Sequence, residues 1–179
     1  WVINGTKQWI SSATGWDGAG ADLLCVVCRT DPAAPPASGI SVLCVSRPMP
    51  APVVERYIDA VGHRAHLLPR FRFENVRVPR DQVVGPVGGG VRIIDASFTG
   101  TAALVGVMGT ALMRGAFEFA LDFARREHRG GPVPIIEHQA VGYGLADAKS
   151  AIEASRWLSL KACHAMDTQE AGAVELALH

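Results

Sequence analysis

Hydrophobic residues follow different patterns in the two parts of the chain. Up to about residue 90, short apolar runs alternate with turn-forming residues, which is typical of a β-rich domain. Beyond residue 90, long stretches rich in Ala, Leu, Val and Met have the character of helices. The sequence therefore predicts an α+β fold. A β-barrel or sandwich-like domain is expected over residues 1–90, and long antiparallel helices of a bundle over residues 91–179.

Short strands are predicted throughout the first part. They are Trp1–Asn4, Lys7–Ser11, Asp22–Arg29, Ile40–Ser46 and Arg70–Val78, the last with Phe71 and Phe73 turned inward. Asn4-Gly5 predicts a hairpin turn, because both residues tolerate positive φ. Asp22–Arg29 is apolar on both faces and is expected to be buried. Prolines interrupt Met49–Val54. Gly85–Gly90 is interpreted as a linker, since no Gly-Lys-Ser/Thr follows to make it a phosphate-binding loop.

The second part predicts two long helices. The first is Val91–Arg126, and within it Ala102–Met113 is apolar on almost every side, so it is expected to be a buried central helix. The second is expected over about Ile136–Met166, and Asp167 is a candidate start of a third.

The amino-acid composition argues against nucleic acid and membranes as partners. The 179 residues carry 17 Lys and Arg against 17 Asp and Glu, so nothing indicates nucleic acid as a partner. Gly, Thr and charged residues interrupt the apolar runs before the roughly 18–20 residues of a membrane-spanning helix, so no membrane partner is expected. No signal segment opens the chain, and a cytoplasmic location is expected.

No metal site is predicted. The cysteines, Cys25, Cys28, Cys44 and Cys163, are interpreted as small buried hydrophobic residues in a reducing compartment. Cys25 and Cys28 lie in a strand-like run, where their side chains point to opposite faces, and no second pair completes a zinc site. His63 and His66 lack an evident third ligand.

The chain has the pattern of a fragment. It begins without Met, in what is expected to be the middle of a strand. We therefore expect the β domain to be truncated at its N-terminus and the helical domain at its C-terminus, and the chain to be inactive by itself.

Three segments in order resemble the acyl-CoA dehydrogenase superfamily. Gly5–Ser12 resembles its G-x-K-x-W-I-T/S strand segment, Phe73–Pro79 resembles the exit from its β domain, and Ile136–Ala140 resembles the start of a helix in its C-terminal bundle. Within that superfamily, Gly15-Trp16-Asp17 and the segment from Arg129 to Gln139 resemble the nitroalkane oxidase branch.

The resemblance implies FAD, held between the β domain and the helices. Trp9 is expected to pack beside the isoalloxazine, and Ser11 to hydrogen-bond the flavin near N5, where a hydroxyl can donate or accept. Arg129 is expected to contact the pyrophosphate of FAD bound to a neighbouring subunit, with Arg125 or Arg126 as alternatives. His138 and Gln139 are expected on the adenylate side. A homotetramer is implied.

The catalytic base is expected to lie beyond His179. Some family members place a Glu on the first long helix, but no carboxylate lies between Ala96 and Glu118. Thr101 matches a Ser that supports the base in the nitroalkane oxidase branch. Bonding to its own helical turn is the alternative for this hydroxyl.

Three functions remain open for the whole protein. The first is oxidation of a nitroalkane by oxygen to an aldehyde or ketone, nitrite and hydrogen peroxide. The second is dehydrogenation of an acyl-CoA thioester, with a flavoprotein as electron acceptor. The third is an inactive family member with a binding or assembly role.

Overall fold

Two compact units make up the structure, a computed structural model that describes residues 1–47 and 52–178. They span Trp1–Ile94 and Asp95–His179. The strands are β1 Val2–Gln8, β2 Leu23–Arg29, β3 Ile40–Ser46, β4 Val53–Tyr57, β5 Pro69–Arg77 and β6 Val83–Val84. The helices are α1 Pro36–Gly39, α2 Gly90–Arg126, α3 Gln139–Thr168 and α4 Ala173–Leu178. The predicted α+β class is confirmed. The domain boundary at residue 90 stays a prediction. Of the proline-interrupted stretch Met49–Val54, residues 49–51 lie outside the described residues, and Val53 and Val54 begin β4.

Two antiparallel sheets enclose the core of the first unit. Their strand orders are β1-β5-β4 and β2-β3-β6. Both sheets contribute to one cluster of buried side chains, which includes Ile3, Val26, Leu43, Val45, Phe71, Phe73 and Val76. Phe71 and Phe73 meet edge to face with ring centroids 5.3 Å apart. Their predicted inward orientation is confirmed.

Asn4 and Gly5 lie within β1, opposite a β-bulge in β5, and form no hairpin. β1 runs on through both residues and pairs with β5, with a register shift between Ile3 and Gly5. Gly5 has a φ of 140°. The Asn75 backbone N–H donates to Asn4 Oδ1 at 2.8 Å, and Asn4 Nδ2 donates to Asn75 Oδ1 at 3.2 Å. The extra residue of the bulge belongs to β5, because Asn4 alone lies opposite Glu74 and Asn75, and Asn75 has a left-handed φ of 51°. The predicted hairpin with return strand Lys7–Ser11 is therefore wrong.

β2 is buried on one face only. Val26 is 5% exposed on the core side, whereas Leu23 on the other side is 57% exposed. The predicted burial of both faces is wrong, because an apolar strand does not reveal how many of its faces a second layer covers. The predicted burial of the cysteines is also wrong: Cys25 is exposed, and the other three are half-buried.

α2 confirms the predicted first helix, but many of its apolar side chains are exposed. Leu104, Val105 and Leu112 are 57%, 62% and 68% exposed, so the predicted burial of this segment is not found within the described chain. An 18-residue window of α2 has a mean hydropathy of 1.4, enough by length and composition to cross a membrane, and only 11% of it is buried. By length and composition, α2 therefore contradicts the expectation that Gly, Thr and charged residues interrupt every apolar run before it is long enough to span a membrane. A helix of this character needs a further apolar cover.

α2 and α3 lie antiparallel, as predicted. Ala103 of α2 packs in one buried cluster with Ala162 of α3. Gly106, further along α2, lies opposite Ser159, which comes earlier in α3; a Cβ at Gly106 would be 3.0 Å from Ser159 Oγ. Glycine thus permits close approach of the two helices at this point.

The later helices are offset from their predicted bounds. α3 begins three residues late, because Ile135–Glu137 forms a separate 3₁₀ turn. It ends at Thr168, where Gln169 adopts a left-handed φ of 54°. Asp167 therefore belongs to α3, and the third helix begins at Ala173.

Candidate functional site

Trp9 and Ser11 lie on a bend directly after β1. The last residue of β1, Gln8, pairs with Arg70 of β5. Trp9 and Ser12 then adopt left-handed φ values of 59° and 57°. The Ser12 N–H donates to the Leu67 carbonyl at 2.9 Å, which fixes the bend against the segment before β5. The chain leaves the sheet here, so neither Trp9 nor Ser11 belongs to a strand.

The bend presents an apolar surface beside a hydroxyl. Trp9 is 64% exposed and Ile10 is 40% exposed. A left-handed conformation is costly for a bulky residue, about 1–2 kcal/mol, and such outliers concentrate at functional sites. The Ser11 side chain is exposed, and no hydrogen bond links its hydroxyl to another described residue. An exposed indole next to an uncommitted hydroxyl suits a flat aromatic ring system with a polar edge.

Arg47 holds the loop that follows this bend. Its Nε donates to the Gly20 carbonyl at 3.0 Å, and its Nη2 forms an ion pair with Asp17 at 2.8 Å. The Ala19 backbone N–H and the Arg47 guanidinium lower the pKa of Asp17. Gly15 packs inside the loop with a φ of 67°. Sequence reasoning noted Trp16-Asp17 but missed Arg47, since no local signal connects the end of β3 with this loop.

A surface cleft of about 510 Å³ adjoins the bend. Ser12 lines it together with Trp16, Asp17, Arg47 and His66. The cleft therefore joins the bend to the loop that Arg47 holds.

Arg129, His138 and Gln139 lie in the second unit, around the connection between α2 and α3. The Ile135 N–H donates to the Glu127 carbonyl at 2.8 Å and so closes this connection. Arg129 has a φ of 48°, and its backbone N–H donates to Glu127 Oε1 at 2.7 Å. That hydrogen bond lowers the pKa of Glu127. The three predicted residues thus come together at one end of the helix pair.

This end of the helices suits an anion. Gln139 is the first residue of α3, and His138 precedes it without a side-chain cap on the free N–H groups. The first turn of α3 itself has no acidic residue, and Glu137 lies in the 3₁₀ turn just before it. The positive end of the helix dipole favours an anion at this point. The Arg129 side chain is exposed, with its guanidinium 5.6 Å from the Phe123 ring centroid. Arg126 differs, because it pairs with Asp122.

Thr101 bonds to its own helix in this structure. Its Oγ1 donates to the carbonyls of Ser97 and Phe98, both at 3.1 Å. This is the alternative that the sequence left open, and a role in supporting a base requires the hydroxyl to rotate. That role stays a prediction. Among the described residues, no group of three or more His, Cys, Asp or Glu side chains is placed to hold a metal ion.

Comparison with known proteins gives consistent results. The profile of the acyl-CoA dehydrogenase C-terminal domain matches residues 88–178. Nitroalkane oxidase from Podospora anserina is 41% identical over 179 residues, covering 93% of this chain and 41% of that protein. The human mitochondrial short-chain specific acyl-CoA dehydrogenase is 30% identical over 180 residues, covering 99% of this chain and 42% of that protein.

Solved structures agree with the sequence comparisons. The structure of Podospora anserina nitroalkane oxidase matches with a TM-score of 0.88 at 39% identity, covering 99% of this chain and 45% of that one. A nitroalkane oxidase crystallised with 1-nitrooctane matches with a TM-score of 0.87 at 36% identity, with the same coverage. The chain spans 41–42% of the length of these curated relatives.

Proposed function

Because this chain belongs to the acyl-CoA dehydrogenase family, we propose that its whole protein is an FAD-dependent oxidase of nitroalkanes. The proposed products are an aldehyde or ketone, nitrite and hydrogen peroxide. The observation that carries this choice is the 41% identity to a nitroalkane oxidase against 30% to a short-chain acyl-CoA dehydrogenase. The relatives are flavoproteins, and the exposed Trp9 and Ser11 fit the flat, polar-edged ring of a flavin.

Each site residue receives a role on this proposal. Trp9 packs against one side of the isoalloxazine and keeps water from it. Ser11 hydrogen-bonds the ring near N5. When bound, FAD takes up the electrons released from the substrate and returns them to oxygen. The substrate carbon loses a proton to a carboxylate that we place beyond His179, and Thr101 orients that carboxylate. The chain by itself is therefore proposed to be inactive.

Arg129, His138 and Gln139 are proposed to bind the FAD of a neighbouring subunit. A guanidinium binds two phosphate oxygens at once, and the uncapped start of α3 favours the same negative charge. A homotetramer follows as a proposal. The exposed apolar surface of α2 supports a homotetramer. This helix lies in the segment that matches the acyl-CoA dehydrogenase C-terminal domain, and its apolar side chains need other protein surfaces to cover them. On this proposal that cover is not lipid, and the protein is cytoplasmic.

Replacing Gln139 with Ala is expected to weaken FAD binding by a factor of about 5 to 150, since one hydrogen bond is worth about 1–3 kcal/mol. Fluorescence titration of the apoprotein measures the dissociation constant. The control is Gln82→Ala, the same change in the first unit. Light scattering with and without FAD gives the assembly state, and a monomer that binds FAD tightly contradicts the cross-subunit roles.

Acyl-CoA dehydrogenation is the second candidate, favoured by the match of residues 88–178 to the acyl-CoA dehydrogenase profile. Anaerobic reduction of the full-length holoenzyme separates the two. Nitroethane is expected to bleach the flavin absorbance, and butyryl-CoA to leave it unchanged. Bleaching by butyryl-CoA alone selects the dehydrogenase, and bleaching by neither substrate points to the inactive family member.

A further inference from the structure

Two thiols face each other across β2 and β3. Cys25 and Cys44 are direct partners in the antiparallel register of these strands. Their side chains point away from the core, because the neighbouring pair Val26 and Leu43 belongs to the buried cluster. The pair therefore lies on the outer face of the second sheet.

The hydrogen-bond pattern places this pair at a close-approach position. The Thr30 N–H donates to the Gly39 carbonyl at one end of the ladder, and the Arg47 N–H donates to the Asp22 carbonyl at the other. Because hydrogen-bonded and non-hydrogen-bonded pairs alternate, the Cys25–Cys44 pair is non-hydrogen-bonded from either end. The Cys44 N–H donates to the Gln82 carbonyl on the opposite side of β3 at 2.9 Å, so it is directed away from Cys25, as a non-hydrogen-bonded pair requires.

This position has the geometry that a disulfide requires. Directly opposed Cα atoms in a non-hydrogen-bonded pair lie about 4.5 Å apart. A disulfide accepts Cα separations of about 4.4–6.8 Å. The strands therefore need little movement to close a Cys25–Cys44 bond.

Access differs between the two thiols. Cys25 is exposed and Cys44 is half-buried. Burial, and then the neighbouring Cys25, raise the pKa of Cys44. Cys25 is thus the thiol that meets an oxidant first, and Cys44 is positioned to react with the product. Of the remaining cysteines, Cys28 lies on the core-facing side of β2 and Cys163 lies on α3, so neither has this arrangement.

We propose that Cys25 and Cys44 form a reversible disulfide when the protein meets hydrogen peroxide. The Cys25 thiolate attacks one peroxide oxygen, the O–O bond breaks, and the sulfenic acid and one water result. The Cys44 sulfur then attacks the Cys25 sulfur, the S–O bond breaks, and a second water leaves. In sum, both thiols are oxidised, one peroxide is reduced, and the two thiol protons leave in the waters.

Peroxide is also a product of the proposed oxidase reaction, so turnover would expose this pair to its own oxidant. Formation of the disulfide does not depend on that reaction, because hydrogen peroxide from any source can oxidise Cys25. The Cys25–Cys44 disulfide closes the loop between β2 and β3, and this cross-link is expected to raise the thermal unfolding midpoint of the oxidised protein.

The test treats the full-length protein with reagent hydrogen peroxide, without substrate. The expected result is the loss of two free thiols per chain, a cross-link between the peptides that contain Cys25 and Cys44 in the mass spectrum, and full recovery with dithiothreitol. Cys25→Ser and Cys44→Ser are each expected to abolish the cross-link. Cys28→Ser is the matched control, three residues along the same strand, and is expected to retain it.

Three results would overturn the proposal. They are retention of both thiols under peroxide, separate oxidation of each thiol to a sulfinic acid, and a cross-link between two chains on a non-reducing gel. Circular dichroism of the variants shows whether they fold. A failure of the nitroalkane assay leaves all of these outcomes unaffected, because the oxidant is supplied directly.

Discussion

Replacing Ser11 with Ala in the full-length protein is expected to slow flavin reduction by a factor of about 5 to 150 while FAD stays bound. The reason is the loss of one hydrogen bond at the reacting edge of the ring, worth about 1–3 kcal/mol. Trp9 still packs against the flavin in this variant, so retention of the cofactor is expected to change little. Anaerobic stopped-flow spectroscopy at the flavin absorbance measures the rate.

Two further variants make this result specific. Ser11→Thr keeps the hydroxyl and is expected to restore a rate close to the original one. Ser46→Ala makes the same chemical change at an exposed position at the end of β3 and is expected to leave the rate unchanged. An unaltered rate in Ser11→Ala would show that this hydroxyl does not face the reacting edge.

Replacing Gly15 with Ala is expected to destabilise the β unit by about 2–4 kcal/mol. Alanine at a left-handed φ of 67° costs about 1–2 kcal/mol. The added Cβ would also overlap the Gly20 carbonyl oxygen and lie 2.9 Å from Arg47 Nη2. The loop must then move, and the hydrogen bonds from Arg47, worth about 1.5–3 kcal/mol as charged contacts, are weakened.

Gly18→Ala is the matched control for this variant. Gly18 has a similar φ of 76°, but a Cβ there has no atom within 4 Å. It should therefore show the conformational cost alone. Denaturant unfolding gives the free energy of unfolding of both variants. The difference between the two values is the contribution of the contact with Gly20 and Arg47. Equal stability of the two variants would mean that this contact is unimportant.

Local sequence patterns were sufficient for much of the fold. Phe71 and Phe73 are two residues apart in a strand, so their shared inward face follows from the period of the strand alone. The helix over Val91–Arg126 likewise follows from composition and length. The Asn4-Gly5 prediction was wrong because β1 runs through both residues to pair with a strand some seventy residues away, and no local pattern reveals that pairing.

The candidate site was predicted from resemblance and positioned only by the structure. Nothing in the pattern around Trp9 showed that it leaves the strand in a left-handed conformation. Arg47 could not be predicted, because its contacts with Asp17 and Gly20 join segments that are distant in sequence. The exposure of Leu112 on α2 was also beyond sequence reasoning, since it depends on which surfaces accompany the helix.

The pairing of β1 with the bulged strand β5 has a consequence for how β1 can change. Side chains alternate between the two faces of a strand, so one residue gained or lost in β1 turns every later side chain to the opposite face. The extra residue of the bulge lies in β5, so β1 itself alternates without interruption from Val2 to Gln8, and the side from which Trp9 leaves the strand depends on that count. An insertion or deletion between Asn4 and Trp9 would therefore need a compensating change of length to keep the indole on the same side of the sheet, a requirement that single substitutions do not impose.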